Sequence, residues 1–228
     1  MGFLKRLFGN PPSENSPAPA DFSSFDQLTE EEMQAHLGIT RYGDFVLTQA
    51  IRPSFDLRVT PRQGYRRDIY RDQNSRSEIP VLMASASAER LFDLFLDLLA
   101  PLGDEVDVVL ETSHHRDHGG HHDYYCKNKD TLVVKSQLCG YEDLLLNDGC
   151  TGIAVLNPDL PQEVQFDEHK LLIVYGNPLY HYEQIFRRYG IPRIDDIKFV
   201  TEAEHVHSSN DEYAQQFEQL MNELWTDE

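Results

Sequence analysis

Apolar positions recur at helical spacing in two long stretches. Leu91, Phe92, Phe95, Leu98 and Leu99 predict a helix over 86–100, stopped by Pro101 and Gly103. Tyr213, Phe217, Leu220 and Leu224 follow one another at spacings of 4, 3 and 4 and predict a final helix with one clean face. Thr29 with Glu32 three residues on forms a capping-box pattern for a short helix towards Leu37. Further helices are expected over 137–147, broken by Gly149, and over 178–189, with Pro178 in the first turn. Extended runs fall at 45–51 and 55–60, joined by a turn at 52–54, and at 106–111, 153–156, 164–166 and 197–200. The run 171–175 is apolar throughout and is expected to lie centrally in a sheet. Residues 61–78 are polar and turn-rich and read as a long loop.

Hairpins mixed with strand–helix–strand crossovers point to an α/β domain of α+β type, a mixed β-sheet flanked by helices. No Gly-x-Gly-x-x-Gly follows an early strand, which excludes a doubly wound dinucleotide fold. Ahead of the domain, expected over 22–228, stand two other segments. Residues 1–10, MGFLKRLFGN, carry Phe3, Leu4, Leu7 and Phe8 on one helical face with Lys5 and Arg6 elsewhere, a pattern for weak, reversible docking on a membrane or a protein partner. Residues 11–21 are rich in Pro, Ser and Ala and predict a flexible linker.

Charge sharpens this picture. The 228-residue chain has a formal net charge of -19, so nucleic acid is not an expected partner. The balance is uneven, because 41–76 holds eight arginines against four acids. Arg62, Arg66, Arg67 and Arg71 are anion-binding candidates within that strip, since guanidinium groups fork onto oxyanions. Pairing with the acidic remainder of the same fold is the plainer expectation for them. Three cysteines without a close pair argue for a reducing compartment, and no apolar run is long enough to cross a bilayer. The expected place is the cytoplasm of a bacterial cell, with peripheral contact at the inner membrane face through the first ten residues.

Candidate chemistry concentrates after the strand at 106–111. Five of the ten histidines lie within 114–122. His114, His115, Asp117, His118, His121 and His122 are the candidate ligands for zinc or a similar divalent ion, imidazole and carboxylate being natural donors. The run from Thr112 to Gly120 resembles, over about ten residues, the metal-binding signature of the metallo-β-lactamase-like hydrolases. His115, Asp117 and His118 match that pattern, while Ser113 and His121 stand where it has a histidine and a glycine, and no Gly-His pair follows. The resemblance implies a metal-dependent hydrolase.

Three other places carry candidate chemistry. Cys150, between Gly149 and Gly152, is a candidate nucleophile, although it follows a helix C-terminus that would raise its pKa. Asp167, Glu168, His169 and Lys170 combine acid, base and imidazole but read first as a hairpin turn. His205 and His207 alternate along an extended stretch, so both rings share a side and could complete a metal site with His114 or His118. The leading expectation is a non-catalytic binding or adaptor domain, loosely tethered, with a protein partner or a second copy of itself. A metal-dependent hydrolase using the His114–His122 loop and a cysteine-dependent enzyme at Cys150 are the alternatives.

Overall fold

A computed structural model describes residues 23–71, 78–114 and 121–225. The amphipathic peptide and linker of residues 1–21 lie outside them. The fold is α+β, with one seven-stranded sheet and six helices among the described residues. The strands of that sheet are β4 (Gly64–Arg71), β5 (Glu78–Ser85), β6 (Glu105–Thr112), β7 (His122–Asp130), β8 (Thr151–Leu156), β9 (Glu163–Phe166) and β10 (Leu172–Tyr175). Their spatial order is β4-β5-β10-β9-β8-β6-β7, and neighbours pair antiparallel throughout. Two ribbons complete the strands: β1 (Arg41–Tyr42) with β2 (Phe45–Val46), and β3 (Ile51–Pro53) with β11 (His205–His207).

The helices are α1 (Glu30–Leu37), α2 (Ala88–Leu98), α3 (Thr131–Cys139), α4 (Glu142–Asn147), α5 (Tyr180–Arg188) and α6 (Asp211–Trp225). The capping box forms at α1: the Glu32 N–H donates to Thr29 Oγ1, and the Thr29 N–H donates to the Glu32 carboxylate. Apolar faces of α2 to α6 pack on one side of the sheet against Leu82, Ala84, Val108, Leu110, Val155, Leu172 and Val174. Alternate positions, Val81, Ile173 and Tyr175, face the other side. There Ile197 and Phe199 cover them. The stretch 197–200 therefore alternates as expected but lies over the sheet instead of joining it, and Val200 opens a 3-10 turn.

The differences from expectation have physical causes. Residues 64–71 form a strand where a loop is expected, and β7 forms within the segment read only for its histidines. Both are the outermost strands, each with one strand neighbour. An edge strand carries charge towards solvent, which hides its alternation. The helix expected at 137–147 is two, α3 and α4, parted at Gly140 and Tyr141.

Topology brings several chain segments to one end of the sheet. Thr112 pairs with His122 on one side and with Thr151 on the other. The β9–β10 turn, residues 167–171, lies at this same end, because Phe166 pairs with Ile153 and with Leu172. The β3–β11 ribbon is fastened here through Gly149, whose N–H donates to Ser208 O at 2.8 Å.

Candidate metal centre

His169, His205 and His207 converge on this end of the sheet, and their ligand atoms lie within 4.8 Å of one another. Ring centroids are 4.8 Å apart for His169 and His207, 5.0 Å for His169 and His205, and 5.1 Å for His205 and His207. Each histidine arrives by a separate local device. His169 sits in the tight β9–β10 turn, closed by Asp167 N donating to Leu171 O and Lys170 N donating to Asp167 O. His205 and His207 occupy alternate positions of β11, opposite Pro53 and Ile51, so their rings share a side.

The second nitrogen of every ring is accounted for in the same way. His169 Nδ1 is 3.1 Å from a carboxylate oxygen of Asp167. His205 Nδ1 is 2.8 Å from Ala203 O, and His207 Nδ1 is 2.6 Å from Gly149 O. Carbonyl and carboxylate oxygens only accept, so Nδ1 carries the hydrogen in all three rings. In that tautomer Nε2 carries the lone pair of each ring. An oxygen acceptor behind the far nitrogen is the outer-shell arrangement of metal-binding histidines. Zinc–nitrogen bonds of about 2.0–2.1 Å put ligand nitrogens roughly 3.4 Å apart, so a small inward turn of the rings would seat an ion.

Electrostatics around the cluster suit a cation. Burial alone would raise the Asp167 pKa, but the charge and hydrogen bond of His169, the Leu171 N–H and Lys170 outweigh it and hold the carboxyl below its usual range. Burial pushes the His207 pKa down, and its two histidine neighbours add to this, against the Gly149 carbonyl and Glu168. His207 is thus neutral at pH 7, the form that binds metal. Glu168 is held by Ser113 Oγ, which donates to it at 3.2 Å, and lies 3.7 Å from His121 Nε2.

Lys170 is the costly residue of the turn. Its backbone takes φ 62°, the left-handed region that side chains disfavour. Its ammonium is buried and donates to Thr151 O at 2.8 Å. Burial brings its pKa down to about 8, against the pull of Asp148, Asp167 and Glu168. His169 and Lys170 form part of the wall of a small cleft of about 30 Å³, with apolar Phe45, Leu91 and Phe199 and with exposed Arg62 and Lys198.

A buried cluster adjoins this centre. His114, Asp148 and Cys150 bring their ligand atoms within 4.8 Å of one another. Gly149 sits between the two clusters in the chain and admits no side chain: a Cβ there would stand 2.4 Å from Ala50 O and 2.9 Å from Ser208 O. Cys150 is buried at the entry to β8, as a packed small residue would be.

His115, Asp117 and His118 lie outside the described residues. His121 is exposed, and His122 opens β7 half-buried. His205 and His207 meet His169 rather than His114. Of the arginines, Arg66 pairs with Glu202 at 2.6 Å, Arg67 with Glu183 at 2.6 Å and Arg71 with Glu78 at 3.0 Å. Arg62 makes no ion pair among the described residues and lines the cleft. His169 as a ligand escaped the sequence, since four polar residues between strands read as a turn. They do form that turn, and the alternating pair at 205 and 207 was the one available signal.

No family model matches the chain, and no curated protein or solved structure is significantly similar to it. The short resemblance to the metallo-β-lactamase-like signature is thus unaccompanied, and His115, Asp117 and His118, which carry it, are outside the described residues.

Proposed function

We propose that this chain is a divalent-metal protein, holding zinc or a similar ion through Nε2 of His169, His205 and His207, and that it works as a metal-dependent hydrolase. One observation carries the reading: all three rings present Nδ1 to an oxygen acceptor, from Asp167, Ala203 and Gly149. Chance clusters of histidines on a surface have no reason to share a tautomer. The ligand set differs from the His114–His122 loop expected from sequence, while the chemistry is the same.

Zinc held by these three rings would supply a bound water of lowered pKa, about 7 in sites of this kind. The protein's own groups supply the rest. Glu168 is the carboxylate nearest in sequence to His169 and the one whose charge acts on His207, so it takes the role of proton acceptor. Lys170 contributes a buried positive charge beside the cleft, where an oxyanion gains most from it. Asp167 orients His169 and reacts with nothing.

Cytoplasmic placement, with the first ten residues as a weak docking peptide, belongs to the same reading. Its support is that Cys126, Cys139 and Cys150 are all free thiols, and that no described helix is long and apolar enough to cross a membrane. The binding-module expectation is the second reading, and it is what an absence of tight metal would favour.

Calorimetric titration of the chelator-stripped, untagged chain with zinc tests the proposal. Stoichiometric binding is expected. His205→Ala should weaken it by more than the ~10–100-fold that loss of an outer-shell partner costs. Unchanged affinity in His205→Ala and His169→Ala, with affinity lost in His115→Ala and His118→Ala, would move the ion to the loop and refute the centre described here.

A further inference from the structure

The buried group formed by His114, Asp148 and Cys150 has no part in the three-histidine centre, yet it has the composition of a ligand set. His114 Nε2 lies 3.0 Å from Asp148 Oδ2, with the His114 side chain 8% exposed and Asp148 0%. The two side chains are in ion-pair contact, although neither His114 Nε2 nor Asp148 Oδ1 makes a well-aligned hydrogen bond among the described residues.

The other polar atoms around them are committed. His114 Nδ1 contacts Thr112 Oγ1 at 2.7 Å, which turns Nε2 inward. Thr151 Oγ1 donates to Asp148 Oδ2. Burial would raise the Asp148 pKa, but His114, Ser209 and Thr151 outweigh it, so the carboxylate is charged at neutral pH. Lys170, whose charge Asp148 and Cys150 both feel, has its ammonium on Thr151 O. The Cys150 sulfur completes a nitrogen, oxygen and sulfur set within 4.8 Å.

We propose that His114, Asp148 and Cys150 form a second metal site, separate from the three-histidine centre. Its mixed imidazole, carboxylate and thiolate donors suit a borderline or soft divalent ion of the zinc and cobalt class. On binding, the Cys150 thiol forms a sulfur–metal bond and its proton leaves to solvent. The two sites are built from one short segment: Gly149 O orients His207 for the first, and Asp148 and Cys150 flank it as ligands of the second. Chain geometry thereby links filling of one site to the shape of the other.

Cobalt(II) titration of the full chelator-stripped chain separates the two sites, because only the second has sulfur. A near-ultraviolet sulfur-to-cobalt charge-transfer band should accompany binding of one of two cobalt equivalents. Cys150→Ser and His114→Ala should abolish the band and leave one equivalent bound, while His205→Ala should keep the band and lose the other equivalent. Cobalt binding without a charge-transfer band, or a band that survives Cys150→Ser, would overturn the site. Should Cys150→Ser fail to fold, the double variant Cys126→Ser, Cys139→Ser leaves Cys150 as the sole thiol. A folded double variant that keeps the full band supports the assignment, and one that loses it refutes it. One equivalent with the band would leave this site standing without the three-histidine centre, and one without the band would do the reverse.

Discussion

Asp167 joins turn and site in one side chain. One carboxylate oxygen accepts from Leu171 N at 2.7 Å and closes the turn, while the other holds His169 Nδ1 at 3.1 Å. Asp167→Ala should therefore weaken zinc binding by roughly 10–100-fold, with the chain still folded, as calorimetry and circular dichroism would show. Asp167→Asn, which keeps an acceptor oxygen, should recover part of that loss. Away from the site, Glu183 illustrates the pairing of the arginine strip. The Arg67 hydrogen bonds bring its pKa below the ordinary 4.5, although burial works against them. A depressed carboxyl stabilises the fold above its unfolded pKa, and the contribution fades as pH falls through the folded value. Glu183→Gln should thus lower the melting temperature at pH 7 by an amount reflecting about 0.2–1 kcal/mol, and the gap to the parent should close in acid. A gap of the same size at every pH on the acid side would point to packing instead. At this scale the sequence was informative about residue types and silent about partners. Nothing near Arg67 in the chain announces Glu183, which is 116 residues away.

Elements decide which of these residues meet. The β3–β11 ribbon carries two of the three histidines and is tied to the sheet end through Gly149. Gly149→Ala would put a methyl group 2.4 Å from Ala50 O, so the ribbon or the β8 entry must shift. Loss of zinc affinity together with a lowered melting temperature is expected, whereas Gly140→Ala, whose Cβ meets only Gln137 O at 3.3 Å, should leave zinc binding unchanged. On the other side α6 lays Phe217 against the His114 ring at 5.8 Å and against Tyr124 at 6.0 Å. Phe217→Ala should cost about 3–5 kcal/mol, read by denaturant unfolding. The helices were legible because a buried face repeats over many residues: Tyr213, Phe217, Leu220 and Leu224 are all buried in α6. The interior strands β8 and β10 were legible as apolar runs. The edge strands β4 and β7 were not, because solvent on one edge lets charged residues interrupt the pattern.

For the molecule as a whole, an excess of 39 acidic over 20 basic side chains sets the background. Arg66, Arg67 and Arg71 are drawn into that background by carboxylates, whereas Arg62 and Lys198 stand at the cleft beside His169. The site itself comes from two chain segments, the turn that carries His169 and the strand that carries His205 and His207, brought together at one end of an antiparallel sheet. Periodicity predicts such a sheet, but not which turns share its rim. That is why the histidine-rich loop stands out in the sequence as a ligand set, while His169, among the acid and base of a hairpin turn, reads as a candidate for proton transfer and not as a ligand. The central claim is that three imidazoles with their Nδ1 atoms fixed hold an ion through Nε2. Anomalous diffraction at the zinc edge from crystals of the zinc-loaded chain tests it most directly. An anomalous peak is expected about 2.0–2.1 Å from Nε2 of His169, His205 and His207. A zinc-loaded crystal with no peak among these three rings, or with its zinc on the 115–118 loop instead, would contradict it.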